Sequence, residues 1–331
     1  MTKLIIGIDL NTGLKLYTVP TKKLIKLKAK FPNFIFKFIN TKKNTEICKN
    51  IDIYWGNRIT KDIIKSCKKL KWIHFGSVGV DRARTSEISN RNILITNSSN
   101  IMDNSIITSA ISFLTNFSRG YYLCQNLRDQ SKLTRESFDK YYDQISSLEN
   151  QTCLIVGYGN IGKKLAKVCL ALGMNVVGIN QNIEKKVSKK LEIKSTKCLS
   201  EEIKKADFVI NLMPFKEKTK AIFDFNLFKK MKKNCFFINV GRGETVDEGS
   251  LIKALKMKKI AGAGLDVFQS EPLRLSSPLW KMNNVLITPH IAGLSNDYWD
   301  KQVSLFSKNL NFYSKGNKNK MTNVVNMKKY Q

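Results

Sequence analysis

Gly157-Tyr158-Gly159-Asn160-Ile161-Gly162 follows the apolar run Cys153 to Val156 and leads directly into Lys163 to Leu172, where apolar residues recur at helical spacing. The first glycine permits a tight turn, the second lets backbone N–H groups approach a pyrophosphate, and the third lets the helix pack closely on the strand. The start of the helix then faces the phosphates. Alone, G-x-G-x-x-G is a weak pattern that an ordinary turn can satisfy. Between a strand and a helix, inside a repeating β/α series, it reads as a dinucleotide-binding turn.

That series extends in both directions. Downstream, strand candidates stand at Asn175 to Ile179, Phe208 to Asn211, Phe236 to Val240, Gly262 to Asp266 and Val285 to Thr288. Upstream, the first hundred residues alternate short apolar runs with Lys-rich amphipathic stretches: Leu4 to Ile8, Phe34 to Ile39, Ile51 to Trp55, Trp72 to Phe75 and Ile93 to Thr96. Strands separated by helix-length segments require crossover connections, so the expected class is α/β with parallel sheets covered by helices. Asn97-Ser98-Ser99-Asn100 punctuates the chain, and the spacing of Ile106, Ile107, Ala110, Phe113, Leu114 and Phe117 predicts one long helix from about Ser105 to Tyr122. The stretch Asp297 to Asn309 also reads as helix, and no internal repeat is visible.

Composition removes several classes. The chain has 331 residues, 42% hydrophobic and 25% charged, which is globular usage and, at about 150 residues per domain, suggests two domains. No apolar run approaches the roughly 18 residues that span a bilayer, and the apolar stretch after Lys3 is too short for a secretory signal. The expectation is a protein without membrane attachment. Seven scattered cysteines without C-x-x-C fit a reducing cytoplasm, and with only His74 and His290 a metal site is not expected. The formal charge of +31 raises the question of nucleic acid. Lys outnumbers Arg about fivefold and is spread along the whole chain, whereas phosphate and base recognition favours Arg. The charge therefore reads as solvated surface, with steering of anionic substrates as an intermediate possibility and no nucleic-acid partner.

The cofactor choice stays open between NADP and NAD. An NAD site places Asp or Glu at the end of the second strand to bind the ribose 2′-hydroxyl, but here that strand ends Ile179-Asn180-Gln181-Asn182. No carboxylate repels a 2′-phosphate, and Lys185 and Lys186 follow, which leans the reading to NADP. No Arg stands there to clamp a phosphate, and the plain reading of the two lysines is a solvated helix start.

Three further segments each follow a strand candidate: Asn239-Val240-Gly241-Arg242-Gly243, then Gly264-Leu265-Asp266-Val267-Phe268 with Glu271-Pro272, and Thr288-Pro289-His290-Ile291-Ala292-Gly293. The ends of successive parallel strands share one edge of the sheet, so Arg242, Asp266, Glu271 and His290 are expected to meet there. With these residues the chain closely resembles the D-isomer-specific 2-hydroxyacid dehydrogenase family. The resemblance also takes in Met213-Pro214, Phe236 to Val246 with Asp247-Glu248, Trp72 to Asp81, and later Leu310, Tyr313, Gly316 and Asn323-Val324-Val325.

The resemblance implies a flavodoxin-like substrate domain, discontinuous over 1–100 and 296–331, with a Rossmann dinucleotide-binding domain inserted at 101–295. It also implies a homodimer and a small 2-oxo or 2-hydroxy acid as substrate, glyoxylate or hydroxypyruvate foremost. Reducing a 2-oxo acid needs a proton donor and a cation for the carboxylate. His290 suits the first, because an imidazole titrates near neutrality. Glu271 is the partner that raises its pKa and holds the ring. Arg242 offers a fork-shaped cation for the carboxylate and carbonyl. By the resemblance, Ser77, Val78 and Gly79 bind the carboxylate. Gly157, Gly159, Asn160, Ile161, Gly162, Asn180, Met213, Pro214, Val240, Asp266 and Gly293 line the dinucleotide, with Asp266 at the nicotinamide.

Each assignment has a plainer counterpart. A lone His after Pro is usually a turn residue, and Arg242 or Glu271 alone usually a surface ion pair; their joint occurrence in motif order reverses those readings. His74 is read as packing before substrate contact, and Tyr54, Trp55, Asn57 and Arg58 are weighed as a pocket mouth. Ser66 and Lys69 fit S-x-x-K but lack any supporting motif. The chain departs from relatives at Ile107-Thr108-Ser109, where an acidic residue is frequent, which puts local hydrogen bonds there in question. A rival reading keeps the fold but makes the protein a dinucleotide-sensing interaction module or corepressor.

Overall fold

Continuous apolar runs such as Thr152–Val156 and Phe236–Asn239 belong to strands buried on both faces, and the computed structural model forms them into two sheets, parallel but for one edge strand of the second. It describes residues 3–10, 13–39, 48–80, 86–181 and 185–327. Asp81, Asn182 and the side chain of Lys186, all weighed above, lie outside the described residues.

The chain divides into two units, Met1–Asp103 with Leu294–Gln331, and Asn104–Gly293. In the first, β1 (Leu4–Asp9), β2 (Phe34–Phe38), β3 (Ile53–Gly56), β4 (Trp72–Phe75) and β5 (Leu94–Thr96) make an all-parallel sheet of order β2-β1-β3-β4-β5, the flavodoxin-like arrangement. The helix Tyr298–Ser314 returns to this unit and buries Phe306 and Leu310 in its core, with Phe306 stacked on Trp55 at 4.1 Å.

In the second unit, β6 (Thr152–Val156), β7 (Asn175–Asn180), β8 (Lys185–Ser188), β9 (Leu191–Ser195), β10 (Phe208–Asn211), β11 (Phe236–Asn239), β12 (Gly262–Leu265) and β13 (Val285–Ile287) run in the order β13-β12-β11-β10-β6-β7-β9-β8. From β6 the chain builds outward through β7 and then returns to lay β10 on the opposite side of β6. Strand order reverses there, and such a switch point opens a crevice at the carboxyl ends of the strands. One face of this sheet packs against the helix Asp103–Ser118, where Phe113 fills the space that a Cβ on Gly264 would need, 2.7 Å from its ring.

Three expectations need correction. The long helix does not reach Tyr122: it ends at Ser118, Gly120 adopts φ +65°, and a second helix runs Tyr121–Asp129. A side chain at Gly120 would meet Ile145 at 2.8 Å, so that break is built into the packing. Second, Lys185 begins a strand and not a helix: β8 pairs antiparallel with β9 at the sheet edge. The lysines hid its alternation, and charged residues are usual on an open edge strand. Third, the tail helix runs on to Ser314, beyond Asn309.

Candidate active site

The glycine turn sits at the switch point. Gly157 has φ +105°, and a Cβ on it would lie 2.8 Å from the carbonyl carbon of Leu212 and 2.9 Å from the nitrogen of Met213, so the turns after β6 and β10 touch backbone to backbone. A Cβ on Gly162 would meet the Gly157 carbonyl oxygen at 2.7 Å, which is the close strand–helix packing expected of the third glycine. Gly159 is different: nothing lies within 4 Å of where its Cβ would be. The helix Asn160–Ala171 starts there with Gly159 at its cap and no side-chain cap, and the positive end of a helix dipole favours an anion. An open cradle over an uncapped helix start fits a dinucleotide pyrophosphate. At the end of β7, Asn180 donates from Nδ2 to the Tyr158 carbonyl (3.1 Å) and accepts from Gln181 N (2.7 Å), so its side chain is engaged with the turn backbone.

A buried polar network holds the next two turns. Asn211 and Asn239 stand opposite each other at the ends of β10 and β11. Asn211 Nδ2 donates to Asn239 Oδ1 (3.0 Å) and Thr245 Oγ1 (2.7 Å), while its Oδ1 accepts from Met213 N (3.1 Å). Asn239 Oδ1 accepts from Gly241 N (3.1 Å), and Thr245 Oγ1 donates to the Arg242 carbonyl (2.6 Å). All three side chains are buried, so each bond stands in for water these groups have lost. Met213 and Val240 are buried beside this network and Pro214 is exposed.

Arg242 is half-buried, with Nη1 on the Gly241 carbonyl at 2.7 Å. Gly243 has no room for any side chain: a Cβ would fall 1.8 Å from the Phe268 carbonyl oxygen. That approach brings the Arg242 turn against the loop carrying Glu271. Glu271 Oε1 accepts from Phe268 N (3.2 Å), and its Oε2 bonds His290 Nδ1 at 2.7 Å. His290 adopts φ +55° and donates its backbone N–H to the Asp266 carbonyl (2.9 Å). Asp266 is buried and its carboxylate accepts from Thr288 Oγ1, Ile291 N and Ala292 N. Gly293 closes that turn, half-buried.

The electrostatics follow from these contacts. The hydrogen bond to Glu271 raises the His290 pKa above its ordinary value; burial opposes this, the charges of Glu271 and Asp266 reinforce it, and Arg242 lowers it. Burial pushes the Glu271 carboxyl up, but the His290 hydrogen bond and charge, the Phe268 N–H and Arg242 outweigh it and leave it below the usual range. Arg242 therefore acts on both partners, so Arg242, Glu271, His290 and Asp266 form one cluster at the strand edge. The Ile107-Thr108-Ser109 departure makes local bonds of its own: Ser109 Oγ reaches the Ala292 carbonyl at 3.3 Å and Thr108 Oγ1 the Asn104 carbonyl at 2.8 Å.

In the first unit, Ser77, Val78 and Gly79 form a half-buried loop after β4. Ser77 Oγ donates to the Gly79 carbonyl (2.9 Å) and Asn97 Nδ2 to the Val78 carbonyl (2.7 Å), while Tyr298 OH and Gln302 Nε2 hold the Gly76 carbonyl at 2.8 and 2.6 Å. His74 is wholly buried among Trp55, Trp72 and Phe306, with Nδ1 on Thr96 Oγ1 at 2.7 Å, and desolvation drives its pKa down to about 3. Of the weighed pocket mouth, Trp55 is core and Tyr54 is buried with its hydroxyl on Asp9 Oδ2 (2.9 Å); Asn57 and Arg58 are half-buried, and Arg58 pairs with Asp9 at 2.5 Å.

Asn211, Asn239, Thr245, Thr288 and Gln302 went unread in the sequence. The two asparagines carried a signal, since each polar residue closes an otherwise apolar strand. The others acquire meaning only through partners far away in the chain. Among the described residues no three His, Cys, Asp or Glu side chains gather to hold a metal, and no helix is long and apolar enough to cross a membrane.

Comparison with known proteins bears on this geometry. A family model described as D-isomer specific 2-hydroxyacid dehydrogenase, NAD binding domain, matches residues 111–292, more than half of the chain. A D-3-phosphoglycerate dehydrogenase from Methanocaldococcus jannaschii is 29% identical over 272 residues, covering 82% of this chain and 50% of that protein, so the chain spans half the length of that relative. A glyoxylate reductase from Pyrococcus horikoshii is 28% identical over 263 residues, 79% of this chain and 78% of the relative. Among solved structures, a D-isomer specific 2-hydroxyacid dehydrogenase from Xanthobacter autotrophicus, in complex with NADPH and MES, superposes with a TM-score of 0.80 at 19% identity, covering all of both chains. At that identity the likeness is one of fold.

Proposed function

The chain belongs to the D-isomer-specific 2-hydroxyacid dehydrogenase family of oxidoreductases, and from that premise we propose that it reduces a small 2-oxo acid to the 2-hydroxy acid with NAD(P)H. The observation that carries this reading is the His290–Glu271 pair at 2.7 Å beside Arg242, on the strand edge that also bears the open glycine cradle.

The dinucleotide would be held at Gly157, Gly159, Asn160, Ile161, Gly162, Asn180, Met213, Pro214, Val240, Asp266 and Gly293, and would supply a hydride when bound. The rest falls to the protein. With Nδ1 committed to Glu271, the His290 ring gives its proton from Nε2 to the carbonyl oxygen as that oxygen gains charge, and the negative partner keeps the imidazolium populated near neutral pH. Arg242 holds the carboxylate with its planar fork and stabilises charge on the carbonyl oxygen. Ser77, Val78 and Gly79 are proposed as carboxylate ligands of the first unit, which we assign as the substrate domain.

Glyoxylate or hydroxypyruvate is the proposed substrate class, supported by the glyoxylate reductase relative. NADPH is the proposed donor, on the ground that no acid closes β7; structural neighbours are complexed with NADPH and with NAD. We further propose a cytoplasmic homodimer. Loss of absorbance from NADPH and NADH, measured in parallel with glyoxylate, hydroxypyruvate, pyruvate and phenylpyruvate, tests the proposal. The expected result is turnover with a small oxo acid; tight dinucleotide binding without turnover across the panel would favour the sensing role instead.

A further inference from the structure

We propose that Thr288 is a positioning residue for His290, acting through the Asp266 carboxylate; this rests on the reading of His290 as proton donor. Strands β12 and β13 pair in parallel as far as Leu265 and Ile287. Asp266 and Thr288 are the next residues on each strand, so their side chains leave the sheet on the same side and at the same level. The last ladder bond runs from Thr288 N to the Leu265 carbonyl at 2.9 Å, and the chain then turns, His290 N donating to the Asp266 carbonyl at 2.9 Å and to the Thr288 carbonyl at 3.1 Å.

His290 itself is left-handed at φ +55°, a conformation a side-chain-bearing residue keeps only when its neighbours impose it. Asp266 imposes it from both sides. Its backbone carbonyl takes the His290 N–H, its Oδ1 takes Ile291 N (2.8 Å) and its Oδ2 takes Ala292 N (3.0 Å). On the other side of His290 stands Pro289, which has no N–H to offer. The hydroxyl of Thr288, 2.6 Å from Oδ1, makes the third bond to the carboxylate and ties the incoming strand to it. A short bond from a hydroxyl to a buried carboxylate is of the stronger kind. Val has the same shape and a strand preference at least as good, so packing alone does not call for a hydroxyl at this position. The Asp266 carboxylate thereby fixes the turn from which the imidazole reaches Glu271 Oε2, and Thr288 fixes the carboxylate.

Thr288→Val and Thr288→Ser, each made in the unmutated protein and in His290→Gln, test this. Thr288→Val is expected to lower kcat about 10-fold, and Thr288→Ser to restore most of the loss. In the His290→Gln background the Val exchange is expected to change kcat by less than about 2-fold, because the group being positioned is gone. An equal loss in both backgrounds would mean a merely structural threonine and overturn the proposal, as would no loss in either. A readout independent of turnover is available, since the chain has two histidines and burial keeps His74 from titrating above about 3. The one histidine Cε1 proton that titrates outside strongly acid pH then reports His290. Its midpoint is expected to fall in Thr288→Val, as the bond to Glu271 loosens, and to return in Thr288→Ser. An unmoved midpoint overturns the clamp; a moved midpoint in a protein that reduces none of the oxo acids supports the clamp and defeats the enzymatic reading. Should Thr288→Val not fold, Thr288→Ala carries the same comparisons.

Discussion

His74 lies inside strand β4 of the smaller sheet, and His290 stands three residues beyond the end of β13 in the larger one. The first is sealed among Trp55, Trp72 and Phe306 with the Thr96 hydroxyl on its Nδ1, and burial holds it neutral. The second has a side chain 49% exposed, a carboxylate on Nδ1 and a raised pKa. The same side chain is thus a packing element in mid-strand and an acid–base group past the strand end. In a parallel sheet covered by helices, only the carboxyl edge combines access with oriented backbone and charged loops. What separates the two histidines is the distance of each from that edge, together with the charge that meets it there.

The comparison can be broken most sharply at its active pole. His290→Gln is expected to lower kcat for oxo acid reduction by about 10² to 10⁴, the usual worth of a positioned general acid. His74→Phe is expected to leave kcat within about 2-fold while shifting Tm, measured by thermal unfolding; a large loss of kcat with Tm unmoved would show that the buried histidine takes part after all. Next in size, Arg242→Ala is expected to lower kcat/KM about 10² to 10³, with Arg242→Lys recovering only part because one point charge replaces a planar fork. Steady-state kinetics check both.

Smaller effects sharpen the picture. Gly162→Ala puts a methyl 2.7 Å from the Gly157 carbonyl oxygen, so dinucleotide affinity is expected to weaken about 10-fold, read as Kd by NADPH fluorescence. Glu271→Gln shifts a pH limb. Reduction needs the imidazolium, so kcat/KM is high below the His290 pKa and falls above it. Because Glu271 provides the largest contribution raising that pKa, the falling limb is expected to move to lower pH in the variant. The smallest expected change is in cofactor choice: Asn180→Asp should turn the ratio of kcat/KM toward NADH, and an unmoved ratio would take this position out of 2′ recognition.

The fold was legible because parallel strands buried on both faces announce themselves as apolar runs, and because Gly157, Gly159 and Gly162 tie a strand to a helix. The helix break at Gly120 was not legible: helical periodicity carries on through Arg119, and the glycine is explained by its left-handed backbone and by the approach of Ile145 and Phe138. The hairpin β8–β9 was hidden because its lysine-rich sequence shows no strand alternation. At the site, charged residues in motif order, Arg242, Glu271 and His290, stood out from sequence alone. Their supports did not. Asn211, Asn239 and Thr245 bond across turns about 30 residues apart in the chain, and Thr288 reaches Asp266 across 22 residues. Nothing local marks a threonine at a strand end as a donor to a buried carboxylate.

The most direct test is the titration of the two histidine Cε1 protons followed by NMR in the unmutated protein and in Glu271→Gln. One resonance is expected to titrate with a midpoint above the ordinary histidine value of about 6.5 and to fall when Glu271 is replaced, while the other stays unprotonated down to strongly acid pH. Two resonances titrating together near the ordinary value, or a midpoint indifferent to Glu271→Gln, would contradict the account.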